Sequence, residues 1–214
     1  MKNLSLKIIY GFIVRWFLKI IVGISFDKAD FLTDLKQFII VANHNSHLDT
    51  MTIMASLPKS IIPKVKPVAA KDHFGKTKLS TAFSNFFINT LLINRKRDKE
   101  NPENDPIHQM IAALDQGYSL ILFPEGTRGQ PEVEQPLKAG IALVLAQRPQ
   151  VTLVPAYMRG MGKAMPKGDS LLVPFNSRMV YGQAQKIEST EIGDILSLIK
   201  TNFDQLNSKI QNNN

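Results

Sequence analysis

The chain of 214 residues contains no cysteine, and only 8% of its residues are aromatic. The absence of cysteine excludes a disulfide framework, a thiolate nucleophile and a cysteine-based zinc site, and it fits a reducing compartment. The low aromatic content, with no repeat or zinc knuckle, disfavours a nucleic-acid-binding protein. Apolar residues make up 44% of the chain, which indicates one globular domain with a sizeable core.

Acidic residues are scarce relative to basic ones. There are 18 Asp and Glu against 26 Lys and Arg, which gives a formal net charge of +8. A surplus of this kind attracts anionic lipids, phosphorylated substrates or nucleic acid. It is also compatible with a soluble protein whose basic residues only face water.

The first residues do not form an uninterrupted apolar run long enough to span a membrane, because three charged residues interrupt the apolar stretch 4–24. On a helix, five residues recur at every fourth position and form one narrow polar stripe: Lys7, Gly11, Arg15, Lys19 and Gly23. A wide apolar face beside a basic stripe is typical of a helix lying in the membrane interface. A helix packed on the protein's own core is the main alternative. A signal peptide is disfavoured because the charges fall inside the apolar stretch.

The rest of the chain alternates short apolar runs with amphipathic stretches, which predicts an α/β fold whose largely parallel sheet is flanked by helices. The predicted strands are residues 37–42, 66–70, 90–94, 119–123, 151–156 and 178–181. The predicted helices are residues 50–57, 76–87, 106–116, 136–147 and 192–210. Since ligands bind outside the carboxyl ends of such strands, the polar loops 43–49 and 124–129 should face one crevice.

The first of these loops carries His44 and Asp49. A neutral imidazole is well suited to take a proton from a hydroxyl near pH 7, and a carboxylate on its other ring nitrogen fixes the tautomer. Five positions on an ideal helix separate two side chains by about 140°. The pair can therefore meet only if His44 lies in the strand-to-helix turn and Asp49 in the first helical turn, and the sequence places them there.

Other interpretations of this loop stay open. With His47, the pair could ligate zinc or iron in a metal-dependent hydrolase. Otherwise His47 is a surface residue or supports the pair from behind. His73 and His108 lie in polar stretches without a partner pattern and are interpreted as surface residues.

The second loop reads Pro-Glu-Gly-Thr-Arg-Gly over residues 124–129. Its glycines permit a positive φ or a close approach to a ligand, and Arg128 offers a planar fork that matches a phosphate. Lys138, near a predicted helix start, and Arg95, just past the predicted strand 90–94, could add phosphate contacts. Each of these cations could equally be an ordinary solvated side chain.

Taken together, the chain resembles the lysophosphatidic acid acyltransferase family, which carries four ordered motifs. Here they are Asn43-His44 with Asp49, the strand end at residues 92–95, Phe123–Arg128, and Val154-Pro155. The match extends over about residues 41 to 156, and its third motif is highly specific. Three positions depart from the family pattern: Asn89 replaces a frequent Gly, Asn94 a frequent Asp, and Gly129 a frequent Ser.

The resemblance implies a mixed, largely parallel sheet flanked by helices. The acyltransferase domain would cover residues 27–214, after an N-terminal membrane-associating segment at residues 1–26. His44 would be the general base and Asp49 its orienting partner. Six residues would hold the phosphate of the acceptor: Arg95, Glu125, Gly126, Thr127, Arg128 and Lys138.

The implied reaction moves a fatty acyl group from acyl-CoA or acyl carrier protein directly to a lysophospholipid, without metal, cofactor or acyl-enzyme. The first candidate acceptor is 1-acyl-sn-glycerol 3-phosphate, which would give phosphatidic acid, and another lysolipid is the alternative. The expected partners are the membrane surface, the lipid acceptor and the acyl donor, but no nucleic acid. The expected location is the cytoplasmic face of a bacterial cell membrane. A basic protein that only binds anionic membranes is the non-enzymatic alternative.

Overall fold

A seven-stranded sheet forms the centre of the molecule. The computed structural model describes residues 2–71, 89–98, 100–129, 133–164 and 173–212. In these ranges the strands are β1 (Ile24–Phe26), β2 (Phe38–Ala42), β3 (Val65–Ala70), β4 (Leu91–Ile93), β5 (Ser119–Leu122), β6 (Thr152–Arg159) and β7 (Ser177–Tyr181). Their order across the sheet is β1-β7-β6-β2-β5-β3-β4, and all neighbours are parallel except β6 and β7. The predicted mixed, largely parallel sheet is confirmed.

Helices cover both faces of the sheet. In the described part of the chain they are α1 (Lys2–Ile8), α2 (Leu48–Ser56), α3 (Pro106–Asp115), α4 (Gly140–Gln147), α5 (Met161–Ala164) and α6 (Ile192–Asn212). Short 3₁₀ turns lie at Asp30–Asp34, Ile62–Lys64 and Pro102–Asn104.

The sequence located most of these elements but erred at some boundaries. The helix predicted to begin at Pro136 begins at Gly140, and residue 24, assigned to the first helix, starts the unpredicted strand β1. The predicted helix 76–87 lies outside the described residues. The errors fall at element ends, where hydrophobic spacing carries the least information.

Every residue of β2 is buried, because both faces of the sheet are covered. Alternate side chains point to opposite faces. Ile40 and Ala42 belong to a cluster that includes the N-terminal residues and α2. Ile39 and Val41 belong to a second cluster with α3, α4 and α6. The faces of the central strands are thus closed to ligands, and only the ends of those strands can carry a site.

The chain is helical from Lys2 to Val22, and this stretch is called the N-terminal segment below. The α-helix α1 continues into π-helical turns at Ile9–Val14 and Phe17–Val22 and ends at Gly23, whose φ is +82°. One stripe of the segment is buried against the core: Leu6, Tyr10, Val14, Leu18 and Val22. A π-turn holds more residues than an α-turn, so mixing the two keeps every fourth residue on one face.

The polar stripe predicted for this segment does not point wholly away from the protein. Arg15 donates hydrogen bonds to the carbonyl oxygens of Ala55 (2.7 Å) and Leu57 (2.9 Å) at the end of α2. Gly11 is buried against the side chain of Lys59. Arg15 of the predicted basic stripe is therefore used inside the fold rather than at a lipid surface. The alternative of packing on the protein's own core is correct for this side of the segment.

The opposite side of the N-terminal segment is apolar and exposed. Eight large side chains there face solvent: Leu4, Ile8, Phe12, Ile13, Trp16, Phe17, Ile20 and Ile21. Among the described helices, none combines the length and the apolar character needed to cross a membrane. An exposed apolar surface of this kind usually marks an interaction site.

Replacing Arg15 with methionine should lower the free energy of unfolding by about 1–2 kcal/mol, because two carbonyls at the end of α2 lose a charged donor. Urea unfolding in a mild detergent, followed by circular dichroism, measures the change. Lys7→Met removes the same charge from the same segment and should shift the free energy by less than about 0.5 kcal/mol. Equal losses in the two variants would contradict the role of Arg15.

Candidate active site

The first predicted loop is fixed to the sheet by a pair of hydrogen bonds. Asn43 follows β2 directly, and its side-chain amide donates to the carbonyl oxygen of Met158 (2.8 Å). The amide oxygen of Asn43 accepts from the backbone N–H of Met158 (2.8 Å). Both residues are buried. Because Met158 lies in β6, the loop leaves the sheet from a rigid anchor.

His44 and Asp49 form the predicted pair. The Nδ1 atom of His44 lies 2.8 Å from Oδ2 of Asp49, which is fully buried at the start of α2. The same Oδ2 accepts the backbone N–H groups of Asn45 (2.7 Å) and Ser46 (2.8 Å). Asp49 is thus held in place, and its contact with Nδ1 leaves Nε2 of His44 as the nitrogen that can accept a proton.

The second predicted loop lies directly against the first. Its residue Gly129 donates a backbone hydrogen bond to the carbonyl oxygen of His44 (3.0 Å). The ring of His44 stacks on Phe123, with centroids 4.0 Å apart and planes at 18°. These contacts fix the imidazole from the main chain and from one ring face, as a positioned base requires.

Glu125 joins the second loop to the first through its buried carboxylate. Its carboxylate oxygens each lie 3.3 Å from the backbone nitrogen of His44, which donates to them. Only 7% of the residue is exposed. Burial raises the pKa of Glu125 to about 7, and the charge of Asp49 adds to this, while the His44 N–H opposes it. The sequence interpretation assigned Glu125 to the acceptor phosphate, and in the structure its carboxylate contacts the backbone of the first loop.

A cavity of about 330 Å³ collects most of the predicted site. His47 lines it, and so do five of the predicted catalytic and phosphate-binding residues: His44, Arg95, Gly126, Thr127 and Arg128. Asp49 lies behind His44 rather than on the cavity wall. An imidazole and two guanidinium groups thus share one concave surface, as expected for a small-molecule site.

His47 faces Arg128 across this cavity. The Nε2 atom of His47 contacts the guanidinium of Arg128. Burial lowers the pKa of Arg128, while the Asp49 carboxylate opposes that shift. The described His, Asp and Glu side chains include no group of three placed to bind a metal ion. The metal-hydrolase interpretation gains no support, because His47 is turned towards a cation.

Lys138 lies beside the second loop but is not part of the cavity wall. Its backbone N–H donates to the carbonyl oxygen of Pro124 (2.8 Å). Gly126 has φ +72°, and a Cβ atom there would lie 2.8 Å from Nζ of Lys138. The left-handed backbone conformation therefore favours glycine at this position, since an L side chain would be strained there.

The second family motif meets the site at the edge of the sheet. Arg95 is exposed and lies just past β4, whereas Arg97 pairs with Asp105 (2.5 Å) at the start of α3. Asn89, where the family often has glycine, adopts φ +57° and donates to the carbonyl oxygens of Pro63 (3.2 Å) and Val65 (3.0 Å). Asparagine tolerates this left-handed conformation, so the departure preserves the backbone path.

Sequence reasoning missed the apolar half of the cavity and one polar group. Met51 and the end of β3, from Pro67 to Ala70, form an apolar wall. Thr90 also lines the cavity, and its buried hydroxyl has no hydrogen-bond partner among the described residues. Knowing that β3 lies beside β5 would have identified this wall, but the order of strands cannot be deduced from a single sequence.

Comparison with known proteins agrees with this geometry. Residues 23–159 match the family model described as Acyltransferase, well over half of the chain. The chain belongs to the Acyltransferase family. The match ends at the last residue of β6 and includes both loops of the cavity.

Two relatives of the Acyltransferase family show how far the likeness extends. A chloroplastic 1-acyl-sn-glycerol-3-phosphate acyltransferase of Arabidopsis thaliana is 31% identical over 143 residues, covering 66% of this chain and 37% of that protein. A 1-acyl-sn-glycerol-3-phosphate acyltransferase of Bacillus subtilis is 32% identical over 127 residues, covering 58% of this chain and 56% of that protein. The chain thus spans between about a third and just over half of the length of these relatives.

A solved structure shares the fold. The 1-acyl-sn-glycerophosphate acyltransferase PlsC of Thermotoga maritima superimposes with a TM-score of 0.76 at 18% sequence identity. The superposition covers 96% of this chain and 79% of that one. At this identity the likeness establishes the architecture of this member of the Acyltransferase family and nothing about its chemistry.

Replacing Glu125 with glutamine should change how stability depends on pH. In the folded protein the pKa of Glu125 is about 7, above its ordinary value of 4.5. The folded state therefore binds the proton more tightly, and this contribution to stability, complete below pH 4.5, is lost as pH rises to 7. Relative to wild type, Glu125→Gln should gain about 2 kcal/mol between pH 5 and pH 8.

Thermal unfolding of both proteins at the two pH values measures this gain. Glu188→Gln, at an exposed glutamate that is not among the groups shifting the pKa of Glu125, is the matched control and should show no comparable change with pH. A constant difference between Glu125→Gln and wild type at all pH values would show that the carboxylate is ionised throughout.

Proposed function

We propose that the protein transfers a fatty acyl group from a thioester donor to the free hydroxyl of a lysophospholipid. The first candidate acceptor is 1-acyl-sn-glycerol 3-phosphate, and the product would be phosphatidic acid. The observation that carries this proposal is the cavity in which the His44 imidazole, oriented by Asp49, lies with Arg95 and Arg128. A proton acceptor beside two cations suits a substrate that has a hydroxyl next to a phosphate.

The reaction begins when Nε2 of His44 takes the proton of the acceptor hydroxyl. The oxygen attacks the thioester carbonyl, a carbon–oxygen bond forms, and the carbon–sulfur bond breaks. The imidazolium, stabilised by Asp49, then gives its proton to the leaving thiolate. The products are an ester and a free thiol. The transfer needs no cofactor, because one imidazole serves as base and then as acid.

The acceptor phosphate is assigned to the cationic side of the cavity. Arg128 can contact two phosphate oxygens with its planar fork, and Arg95 approaches from the sheet edge. Gly126 and Thr127 line the same side, and the unpartnered hydroxyl of Thr90 is available to a ligand. Glu125 and Lys138 support this loop rather than bind the phosphate themselves.

The acyl donor is proposed to be acyl-CoA or acyl carrier protein, because both present a thioester on a phosphopantetheine arm. The proposed location is the cytoplasmic face of the membrane, where the exposed side of the N-terminal segment would lie in the lipid interface. That position suits an acceptor whose acyl chain stays in the bilayer while its head group enters the cavity.

The function is tested by assaying purified protein with acyl-CoA and acyl carrier protein donors against a panel of lysolipids. Mass spectrometry of the products should show an acyl ester of lysophosphatidic acid above those of the other acceptors. His44→Ala should lower kcat by about 10² or more, because general base catalysis usually contributes that much. The expected loss follows from removal of the only proton acceptor assigned to the hydroxyl.

The matched control is His108→Ala, at an exposed histidine of α3. It should transfer acyl groups at the wild-type rate. Near-wild-type transfer by His44→Ala would contradict the proposed mechanism. A better acceptor than lysophosphatidic acid would leave the mechanism in place and correct the proposed substrate.

Replacing Arg128 with alanine should mainly raise KM for acceptors that carry a phosphate, by about 10-fold or more, since charge-assisted contacts are lost. With a monoacylglycerol, which has no phosphate, KM should change little. Steady-state kinetics with the two acceptors measure the difference. Arg148→Ala, at an arginine that pairs with Asp115 on the surface, is the control. An equal effect of Arg128→Ala on both acceptors would refute the phosphate contact.

A further inference from the structure

Exposed apolar side chains occur outside the N-terminal segment as well. Three large ones are exposed elsewhere in the described residues: Val133 (48%), Val173 (45%) and Phe175 (38%). Val133 lies in the segment that leads into α4. Val173 and Phe175 immediately precede β7, the strand that pairs with β1. They lie about 150 positions from the N-terminal segment along the chain but next to it in the fold.

Hydrogen bonds join the two regions. The backbone N–H of Phe175 donates to the carbonyl oxygen of Val22 (3.1 Å), and that of Ser177 donates to the carbonyl oxygen of Gly23 (3.4 Å). Ile20 and Ile21, just before these contacts, are 66% and 53% exposed. The apolar surface of the N-terminal segment therefore continues onto residues 173–175, and the strand pairing that follows holds the two in register.

Basic side chains border this combined surface. The Nζ atom of Lys163 lies 5.2 Å from the ring centroid of Phe175, and that of Lys19 lies 4.8 Å from the ring centroid of Phe26. The nearby carboxylate of Asp27 is paired with Arg178 (2.5 Å). Phe26 is buried and only holds Lys19 in place, whereas Phe175 is exposed. An exposed ring next to an ammonium group fits the interface of an anionic bilayer, where the ring enters the lipid and the ammonium group meets phosphates.

We propose that Val173 and Phe175 form a second membrane-contacting element, which enters an anionic lipid surface together with the end of the N-terminal segment. This inference rests on the proposed location at the membrane. The occupant is lipid rather than a second copy of this chain, because a symmetric contact through this surface would bring Lys19 and Lys163 close to like charges. Two elements joined at a fixed distance would set the orientation of the protein on the bilayer, which one helix alone leaves free to roll.

The absence of cysteine gives a direct test, because a single introduced cysteine reports one position. Phe175→Cys, Ile21→Cys and Val133→Cys are each labelled with a polarity-sensitive fluorophore and mixed with phosphatidylglycerol or phosphatidylcholine vesicles. The probes at positions 175 and 21 should shift to shorter wavelength, more strongly with phosphatidylglycerol, and a quencher dissolved in the lipid should reach both. The probe at position 133 should remain in water.

The outcomes are distinct. If the probe at position 21 enters the lipid while that at position 175 behaves like the one at position 133, the second element is wrong and the N-terminal attachment stands. If none of the probes enters, the membrane location fails as well. If the probe at position 175 shifts without lipid and in proportion to protein concentration, the surface joins two copies of the chain and the proposal is overturned.

A second measurement uses unlabelled protein. The double variant V173S/F175S should bind phosphatidylglycerol vesicles about 10-fold more weakly, since it removes two apolar side chains from the interface. V133S should bind like wild type, and equal binding by the two variants would overturn the proposal. Thermal unfolding verifies that both are folded. Acyl transfer to an acceptor in detergent micelles should be unchanged in both, so loss of membrane binding is separable from failure of the proposed reaction.

Discussion

The parallel pairing of β2 with β5 is the constraint on which the site depends. Val41, one residue before the end of β2, lies opposite Leu122, the last residue of β5. The chain therefore leaves both strands at the same edge of the sheet, and two loops 81 positions apart meet there. Contacts between the main chains of the two loops then place His44 against Phe123. Without that strand order, the imidazole and Arg128 would have no common cavity.

Two buried carboxylates serve this junction in different ways. Asp49 accepts two backbone N–H groups on the same oxygen that contacts the His44 ring. Glu125 accepts the His44 N–H, and burial raises its pKa to about 7. Asp49 fixes the side chain of the base, while Glu125 fixes its backbone. The third motif thus holds the same histidine as the first, and the second and third motifs each place an arginine on the cavity wall.

The sequence contained the fold class and the reacting groups because each has a local signature. Apolar runs separated by amphipathic stretches predicted the sheet, and the spacing of His44 and Asp49 predicted a turn that lets them meet. The role of Glu125 could not be predicted, because it depends on a backbone N–H from a distant loop. Nor could the packing of Arg15, since periodicity defines a stripe but not what lies opposite it. Strand β1 was missed because three residues after a long apolar helix carry no separate pattern.

The N-terminal segment and the catalytic loop are joined by one short helix. α2 carries Asp49 in its first turn, and its final carbonyls accept the hydrogen bonds of Arg15. Nine residues of α-helix extend roughly 13 Å. The surface proposed to enter the lipid is thereby held at a fixed distance from His44, the base proposed to take the proton of the acceptor hydroxyl. A lysolipid keeps its acyl chain in the bilayer and presents that hydroxyl close to its phosphate. A rigid helix of this length would therefore set how far the head group must move out of the bilayer to reach His44. The packing of Arg15 that stabilises α2 would thus also position the enzyme relative to its substrate.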